Sequence, residues 1–324
     1  MSELSFPLRL GTRKSLLAKT QSQFVAELLK SVGVPTVLVE VESSGDLDKK
    51  TPLYEIDALG TPGLFTKELE AELLGNRIDL AVHSLKDLPT TQPEGLVIVA
   101  IPQRESTADV LVVRKEAYDP SRPWRLRAGS RIGTSSLRRE AQIISEMPEV
   151  EVVSLRGNVP GRIQKVREGK VDAAVLAQAG LNRLKLELSE FVLVPLPSDV
   201  FIPAPGQGAL ALECSKRLAT ALSQQFSLLN HGPTEKETRI ERAVLKGLHG
   251  GCSLPLGVKC EASSDGKSLK LKAFLGVLRP HELGHPKAWG AFHRFEITHE
   301  NEETLIDNTI AHFKDVMNAN PRNR

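Results

Sequence analysis

Cys252 lies in the segment HGGCSLP at positions 249–255, where two glycines precede the thiol. Glycines allow backbone conformations that are closed to other residues, and they leave no side-chain bulk beside the sulfur. A thiol with this open approach can carry a covalently attached group. The alternative is a structural cysteine, since buried cysteines usually behave as small hydrophobes. We interpret Cys214 and Cys260 in that second way, because both lie in apolar stretches.

Two other chemistries fit these residues less well. A Cys–His hydrolase would use His249, three residues from Cys252, but this spacing does not place an imidazole on the sulfur and no third group orients it. His281 and His285 are four residues apart, yet proline and glycine interrupt any helix that would bring them together on a metal ion. We therefore predict no metal site.

Arginine is concentrated in the stretch 122–167, which has ten basic residues against four acidic ones, and nine of the ten are arginine. The planar guanidinium group binds a carboxylate or phosphate through paired hydrogen bonds. Residues 133–139 (GTSSLRR) read as a strand end followed by a helix start, where free N–H groups bind anions. Cations in a first helical turn oppose the helix dipole. Arg138 and Arg139 therefore either hold an anion between them or are solvated surface residues.

Basic residues recur in three other predicted turns, at 11–15 (GTRKS), at 155–158 (LRGN) with Arg162 one helical turn later, and at Asn182-Arg183. Each turn alone says little, because basic loops are common. Four such turns at equivalent positions after strands can converge on one cleft. Only a ligand with several anionic groups would need so many donors.

A carboxylate stands in a fifth segment, 83–87 (HSLKD). Asp87 could act as a general acid or base, or stabilise a developing cation. Alternatively it caps the loop or pairs with Lys86, which is the interpretation that spacing alone favours. His83 reads as a core histidine, because nothing marks it as a ligand.

Strands and helices alternate through the first two thirds of the chain, which predicts open, mostly parallel α/β sheets. Such sheets bind ligands beyond the carboxyl ends of their strands, where the polar turns lie. The proline- and glycine-rich segment 202–209 is predicted to cross between domains. After about Lys236, strands grouped between two helices predict a small α+β domain.

Composition narrows the class of protein. A chain of 324 residues predicts two or three domains at about 150 residues each. The net charge of +2 and the aromatic content of 4% disfavour a nucleic-acid binder. Three cysteines without metal spacing indicate a reducing compartment. We find no secretory segment and no apolar run of about 20 residues, so we expect a cytoplasmic protein without a membrane partner.

The chain resembles the porphobilinogen deaminase family, also called the hydroxymethylbilane synthases. The resemblance covers residues 11–257, and its match is loose beyond Lys259. The combination of VHSLKDLPT, GTSSLRR and GGC is specific. The matching segments, in the family's order, are GTRKSLLA, GLFTKELE, DLAVHSLKDLPT, IGTSSLRREAQ, LRGNVPGRIQKV, AAVLAQAGLNRL, PAPGQGALALE and ERAVLKGLHGGCSLPLG.

The resemblance implies an α/β fold of two similar doubly wound, periplasmic-binding-protein-like domains plus a small α+β C-terminal domain. We place domain 1 at 1–107 plus 206–228, domain 2 at 108–205 and domain 3 at 229–324. The family also implies a monomer.

The implied activity is the stepwise, deaminating condensation of four porphobilinogen molecules onto a dipyrromethane cofactor. By motif, Cys252 would carry that cofactor through a thioether, and hydrolysis would release a linear tetrapyrrole for haem and porphyrin biosynthesis. Asp87 would be the catalytic carboxylate. The residues implied to contact the acetate and propionate groups are Arg13, Ser15, Gln21, Ser84, Lys86, Thr134, Ser135, Ser136, Arg138, Arg139, Arg156, Arg162, Arg183 and Gln207.

The residues give this resemblance a physical basis. Each porphobilinogen brings two carboxylates, so the growing chain is a polyanion that suits guanidinium forks. Loss of ammonia leaves a cation that arginines would repel, and Asp87 supplies the opposite charge.

Two departures from the family's pattern stand out. The stretch 58–65 lacks a lysine that the family often has there, and His249 replaces a usual glutamate. The alternative function is a non-catalytic, two-lobed anion-binding protein, which explains the arginines but gives Asp87 and Cys252 no task.

Overall fold

The computed structural model describes residues 6–42, 66–250, 254–263, 266–278 and 289–319. Cys252 and the stretch 58–65 lie outside these ranges. The strands are β1 (Leu8–Arg13), β2 (Thr36–Val41), β3 (Leu80–Ser84), β4 (Leu96–Ala100), β5 (Asp109–Arg114), β6 (Arg131–Thr134), β7 (Glu151–Ser154), β8 (Ala173–Ala177), β9 (Phe191–Leu196), β10 (Leu210–Ser215), β11 (Leu256–Ala262), β12 (Leu269–Leu278) and β13 (Trp289–His299).

The helices lie between and after these strands. None of them, within the ranges given above, is long and apolar enough to cross a bilayer. They are α1 (Leu16–Ser31), α2 (Lys67–Leu74), α3 (Leu137–Glu146), α4 (Val159–Arg167), α5 (Gln178–Leu184), α6 (Lys216–Ala221), α7 (Ser223–Leu229), α8 (Gly232–Gly247) and α9 (Glu302–Ala319).

Two five-stranded sheets share one plan. The first has the order β2-β1-β3-β10-β4, and the second has the order β7-β6-β8-β5-β9. In each sheet the first three strands are parallel to one another. The fourth strand, β10 or β5, runs antiparallel to both neighbours, and the fifth strand, β4 or β9, lies at the edge. The prediction of two similar α/β lobes is confirmed. The prediction of mostly parallel sheets is confirmed in strand direction, since four of the five strands in each sheet run the same way and only β10 and β5 run against them.

The turns that follow the parallel strands are built as the sequence predicts, with two differences. Strand β1 continues through Arg13 because its pairing with β2 extends to Val41, so the turn is confined to Lys14 and Ser15. Arg183 does not follow a strand directly. It lies in the last turn of α5, because that helix already begins at Gln178.

The third sheet is antiparallel, in the order β11-β12-β13, and it packs against α8 and α9. Val244 from α8 and Phe313 from α9 are fully buried against Leu271 of the central strand. The predicted α+β C-terminal unit is therefore present. The predicted domain boundaries stay predictions, since a sheet shows which strands belong together and not where a domain ends.

Two crossover segments, 101–108 and 197–209, connect the first two sheets, and they run side by side. The Glu105 N–H donates to the Gly208 carbonyl at 3.1 Å. The buried carboxylate of Glu241, on α8, accepts from Arg104 at 3.0 Å and from the Gly206 N–H at 2.7 Å. It also accepts from the Cys260 N–H at 3.0 Å. One carboxylate thus joins both crossovers to the third sheet.

We predict that Gly208→Ala lowers the stability of the folded chain. Gly208 has φ +87°, and a Cβ there would overlap the carbonyl oxygens of Glu105 and Ser106. Backbone strain of this kind costs about 1–3 kcal/mol, and the overlap adds to it. The melting temperature measures the effect. Gly33→Ala is the matched control, since Gly33 has φ +79° and a Cβ added there would meet nothing within 4 Å. An equal loss in both variants would show that the crossover contact is unimportant.

Candidate functional site

A buried carboxylate organises the second sheet's end of the cleft. Asp109 opens β5 and is fully buried. Its two oxygens accept from Arg138 at 2.8 Å and from Arg139 at 2.7 Å. Burial by itself would raise the pKa of Asp109, but the two guanidinium groups outweigh it and hold the pKa well below its ordinary value of 3.8. Gln207 of the second crossover donates to the same carboxylate at 3.0 Å.

The anion that the sequence predicts between Arg138 and Arg139 is therefore present, and it is a protein carboxylate. Both arginines are buried, which excludes the alternative of solvated surface residues. Arg138 also donates to the Ile202 carbonyl at 2.8 Å, and Arg139 to the Val175 carbonyl at 3.0 Å. Sequence reasoning missed Asp109. Its signal is an acidic residue at the head of the apolar run VLVV, because a buried charge needs a partner.

The Asp87 segment projects from the first sheet. Residues Leu85–Asp87 form one turn of 3₁₀ helix directly after β3. Leu85 and Leu88 are buried, and the Leu85 N–H donates to the Ala209 carbonyl at 3.0 Å. Asp87 itself is half-buried between these two anchored leucines. The local structure therefore holds its backbone on both sides.

Charged residues of the two lobes lie close enough at this point to influence one another's pKa values. The pKa of Arg162 is lowered to about 10, chiefly by burial and also by Arg139 and Arg156, while Asp87 opposes the shift. Burial also lowers the pKa of Lys86, whose neighbours are Asp87, Arg139, Asp109 and Arg138. Lys86 and Asp87 belong to the first lobe, and the arginines belong to the second. The structure thus brings these cations and carboxylates together at one cleft.

Other predicted residues line the ends of the first sheet. Gln21, from α1, donates to the Ser84 hydroxyl at 3.1 Å. Ser15 caps α1, because its hydroxyl accepts from the Ala18 N–H at 3.3 Å. Arg13 ends β1, beside the end of β3. These side chains lie at the carboxyl edge of the sheet.

The second sheet presents a matching edge. Thr134 lies opposite Ser154 in the parallel pair β6–β7, and the hydroxyls of Ser135 and Ser154 lie 3.4 Å apart. Ser136 is the N-cap of α3. Arg156 follows β7, and its carbonyl accepts from Lys165 at 2.9 Å. The predicted residues from this sheet thus emerge at neighbouring strand ends.

Three residues occupy more constrained positions. Arg162 donates from Nε to the Gly157 carbonyl at 2.7 Å, which folds it back over the start of its own helix. Arg183 donates to the Gly208 carbonyl at 2.7 Å and is tied to a crossover. Gln207 donates to the Thr107 carbonyl at 2.7 Å as well as to Asp109. Arg183 and Gln207 therefore also hold the connection between the lobes.

The cysteines and His83 differ in their surroundings. Cys214 and Cys260 are fully buried, and burial raises the pKa of each thiol to about 12, as expected of inert residues. His83 is buried and lies 3.0 Å from Glu213, so it is the predicted core histidine. Cys252 cannot be placed, since 251–253 are not described. His249, just before it, has φ +52°.

The chain matches two domain models of one protein family. One is "Porphobilinogen deaminase, dipyromethane cofactor binding domain", over residues 8–223. The other is "Porphobilinogen deaminase, C-terminal domain", over residues 236–283. The chain belongs to the porphobilinogen deaminase family.

Individual relatives agree with this assignment. Porphobilinogen deaminase of Campylobacter hominis is 40% identical over 271 residues, covering 83% of this chain and 84% of that protein. Probable porphobilinogen deaminase of Methanocella arvoryzae is 43% identical over 251 residues, covering 78% and 79%. Among solved structures, the VFT2 domain of Bordetella pertussis BvgS matches with a TM-score of 0.42 at 15% identity, covering 70% of this chain and 90% of that one.

Family membership establishes the reaction. The protein is a transferase, a hydroxymethylbilane synthase, which condenses four porphobilinogen molecules on a dipyrromethane cofactor and releases a linear tetrapyrrole. It acts in haem and porphyrin biosynthesis. The alternative of a non-catalytic anion-binding protein is not favoured.

The described residues fit a dipyrromethane that carries acidic side chains. Arg139 Nε and Gln207 Oε1 are buried and have no hydrogen-bond partner among the described residues. Buried polar groups are normally paired, so an unpaired guanidinium N–H fits a ligand carboxylate. A metal would need different donors, and no group of three metal-binding side chains occurs in the described ranges.

We predict that Asp109→Asn destabilises the folded protein. Removing one partner of a buried ion pair leaves uncompensated charge, which costs about 3–5 kcal/mol. Denaturant titration at neutral pH measures the loss in the free energy of unfolding. Asp79→Asn is the control, since Asp79 and its partner Arg9 are partly exposed, and a surface pair contributes about 1 kcal/mol or less. Similar losses in the two variants would contradict the role given to Asp109.

The same pair predicts a pH dependence. A carboxylate whose pKa is lowered by folding stabilises the folded state above its unfolded pKa, and this contribution disappears as the pH falls through the folded pKa. Asp109 therefore contributes fully above about pH 5 and progressively less in more acidic solution. The stability difference between wild type and Asp109→Asn should shrink between about pH 5 and pH 2. A constant difference over that range would show that Asp109 is not ionised in the folded protein.

Proposed function

We propose that Asp87 is the catalytic carboxylate of this hydroxymethylbilane synthase. The observation that supports it most directly is the position of Asp87 among Lys86, Arg139 and Arg162 at the meeting of the two lobes. A cleft with this surplus of positive charge repels a cationic reaction centre. A single carboxylate placed there in advance offsets that repulsion, and such electrostatic preorganisation is a large contribution to catalysis.

Cys252 is the proposed attachment residue for the dipyrromethane. It is the cysteine in the GGC motif, and the other two cysteines are buried with raised thiol pKa values. A thiolate is the reactive form, so a thiol held neutral by burial is a poor nucleophile. When bound, the dipyrromethane supplies the free pyrrole carbon that forms the first new carbon–carbon bond.

The binding residues act as donors to carboxylates. Guanidinium groups from the second lobe hold acetate and propionate groups in paired hydrogen bonds, and hydroxyls at the strand ends add single donors. This holds the growing chain with its reacting carbon near Asp87. The residues proposed for this role are Arg13, Ser15, Gln21, Ser84, Lys86, Thr134, Ser135, Ser136, Arg138, Arg139, Arg156, Arg162, Arg183 and Gln207.

Asp87 then has three tasks in each cycle. It assists proton transfer to the leaving amine as the carbon–nitrogen bond of porphobilinogen breaks and ammonia leaves with the electron pair. It stabilises the cationic carbon that remains. After the new carbon–carbon bond forms, it accepts the proton that the attacking pyrrole carbon loses. In the release step Asp87 would return a proton to the carbon of the tethered primer as its carbon–carbon bond to the tetrapyrrole breaks. It would then accept a proton from the water that adds to the cationic carbon of the departing tetrapyrrole.

We also propose a domain organisation, a compartment and an oligomeric state for the enzyme. We place its three domains at 1–107 plus 206–228, 108–205 and 229–324, with Asp87 in the first and Cys252 in the third. We propose a cytoplasmic protein with no nucleic-acid or membrane partner, because the chain has few cysteines, few aromatic residues and a net charge of only +2. We propose a monomer because the resemblance to the family implies one.

We predict that the purified protein carries a stable added mass on the peptide that contains Cys252. A thioether survives denaturation, so intact mass spectrometry followed by peptide mapping detects it. Cys252→Ser should lack the addition and be inactive. Cys260→Ser, a change at a buried cysteine on β11, should keep it. An unmodified wild-type chain with full activity would remove Cys252 from the mechanism.

We predict that Asp87→Asn lowers kcat by about 10²–10⁴-fold while the melting temperature stays unchanged. Loss of a positioned proton-transfer group has an effect of this size. The rate of porphobilinogen consumption measures it. Glu94→Gln, at an exposed carboxylate in the connection to β4, is the matched control and should behave as wild type. Near-normal turnover in Asp87→Asn would assign the chemistry to another group.

A further inference from the structure

Arg242 connects the helix that leads to Cys252 with the segment that carries Asp87. It lies on α8, which ends at Gly247, shortly before the GGC motif. Its guanidinium donates to the carbonyl of Leu85 at 3.1 Å, of Leu88 at 2.7 Å and of Pro89 at 2.7 Å. Three backbone carbonyls on both sides of Asp87 thus converge on one side chain.

This arrangement leaves the backbone around Asp87 little freedom. Leu85 and Leu88 are anchored in a small apolar cluster with Ala209 and Ala211. Arg242, which belongs to α8, donates hydrogen bonds to the carbonyls of the same two leucines. Displacement of a reacting group by about 1 Å can cost a hundredfold in rate, so this level of support bears on catalysis.

Close packing of side chains does not connect α8 to the Asp87 segment in the way that Arg242 does. A cavity of about 460 Å³ lies between α8 and the chain that follows Asp87, and Thr90, Gln92, Thr238 and Arg242 are among the residues that line it. Where packed side chains do not fix a distance, a rigid polar contact must do so. Arg242 spans this gap.

Other polar contacts of α8 reach the first crossover. Thr234 accepts from the Arg104 N–H at 3.2 Å, and Glu241 accepts from the Arg104 guanidinium at 3.0 Å. Both hold the helix to the first crossover. Arg242 instead contacts the Asp87 segment directly. Burial lowers the pKa of Arg242 to about 10, so it remains charged at neutral pH.

We propose that Arg242 is a positioning residue that sets Asp87 relative to α8, the helix that precedes Cys252 in the sequence. This inference rests on the proposed roles of Asp87 and Cys252. The planar guanidinium group of arginine can donate to all three carbonyl groups at once, whereas an amide or an ammonium group reproduces only part of that geometry. Arg242 touches neither substrate nor cofactor, and it acts through the backbone of residues 85–89.

The test compares Arg242→Ala with Arg239→Ala in the holoenzyme. Arg239 lies one turn earlier on α8 and lines the same cavity, but it is half exposed and pairs with Glu235 and Glu302. For Arg242→Ala we expect kcat per Cys252-modified chain to fall about tenfold or more, with KM for porphobilinogen changed less than about threefold. Arg239→Ala should stay within about twofold of wild type. Intact mass should show equal cofactor occupancy in all three proteins.

Chemical rescue separates positioning from a general structural effect. The cavity beside Arg242 gives free guanidinium ion a route to the vacated carbonyls, so millimolar guanidinium should restore part of kcat in Arg242→Ala. Urea at the same concentration lacks the charge and should restore less. If Arg242→Ala does not fold, Arg242→Gln retains an amide donor, and an intermediate kcat is expected for it.

The outcomes are distinct. Wild-type kcat in Arg242→Ala, or in Arg242→Gln if that variant is used, overturns the inference. So does an equal loss in Arg239→Ala, or a loss that guanidinium and urea restore to the same degree. A wild-type chain without added mass at Cys252, or an active Asp87→Asn, instead shows that the proposed function itself has failed.

Discussion

The buried carboxylate of Asp109 is the constraint on which the cleft depends. Two guanidinium groups without a counter-charge could not stay in an interior where desolvation costs several kcal/mol per ion. Asp109 compensates them, and Gln207 links the same carboxylate to the second crossover. The ion pairs therefore fix α3 relative to β5 and to the connection between the lobes.

The cleft still carries more positive than negative charge among the described residues. Arg162 has Arg139, Arg156 and Asp87 as charged neighbours, and Lys86 has Asp87, Arg138 and Arg139 among its neighbours. Burial is the largest cause of the lowered pKa values of Arg162 and Lys86, and the neighbouring arginines add to it. In the proposed function, a ligand with many carboxylates offsets this positive charge. Under that proposal, part of the binding energy of the polyanionic substrate chain comes from repulsion that exists before binding. The same surplus of cations is the reason for proposing that a single carboxylate, Asp87, serves the reaction centre.

Sequence patterns predicted much of this structure, because alternating periodicity and turn residues are local signals. They located the strands that end at or shortly before Arg13, Thr134 and Arg156, and the anion beside Arg138. They did not identify Asp109 or Arg242, whose partners lie far away in sequence. They predicted mostly parallel sheets but not the reversed direction of β10 and β5, since periodicity does not show in which direction a crossover strand returns. Local propensity cannot encode contacts that only the tertiary fold creates.

The order of strands in the two sheets has a consequence for synthesis on the ribosome. In the first sheet β4 is joined to β3 only through β10, which lies more than a hundred residues later in the chain. All strands of the second sheet lie between β4 and β10. A nascent chain can therefore complete its second sheet while the first still has an open edge at β3. The N-terminal lobe, although translated first, is the later of the two to close.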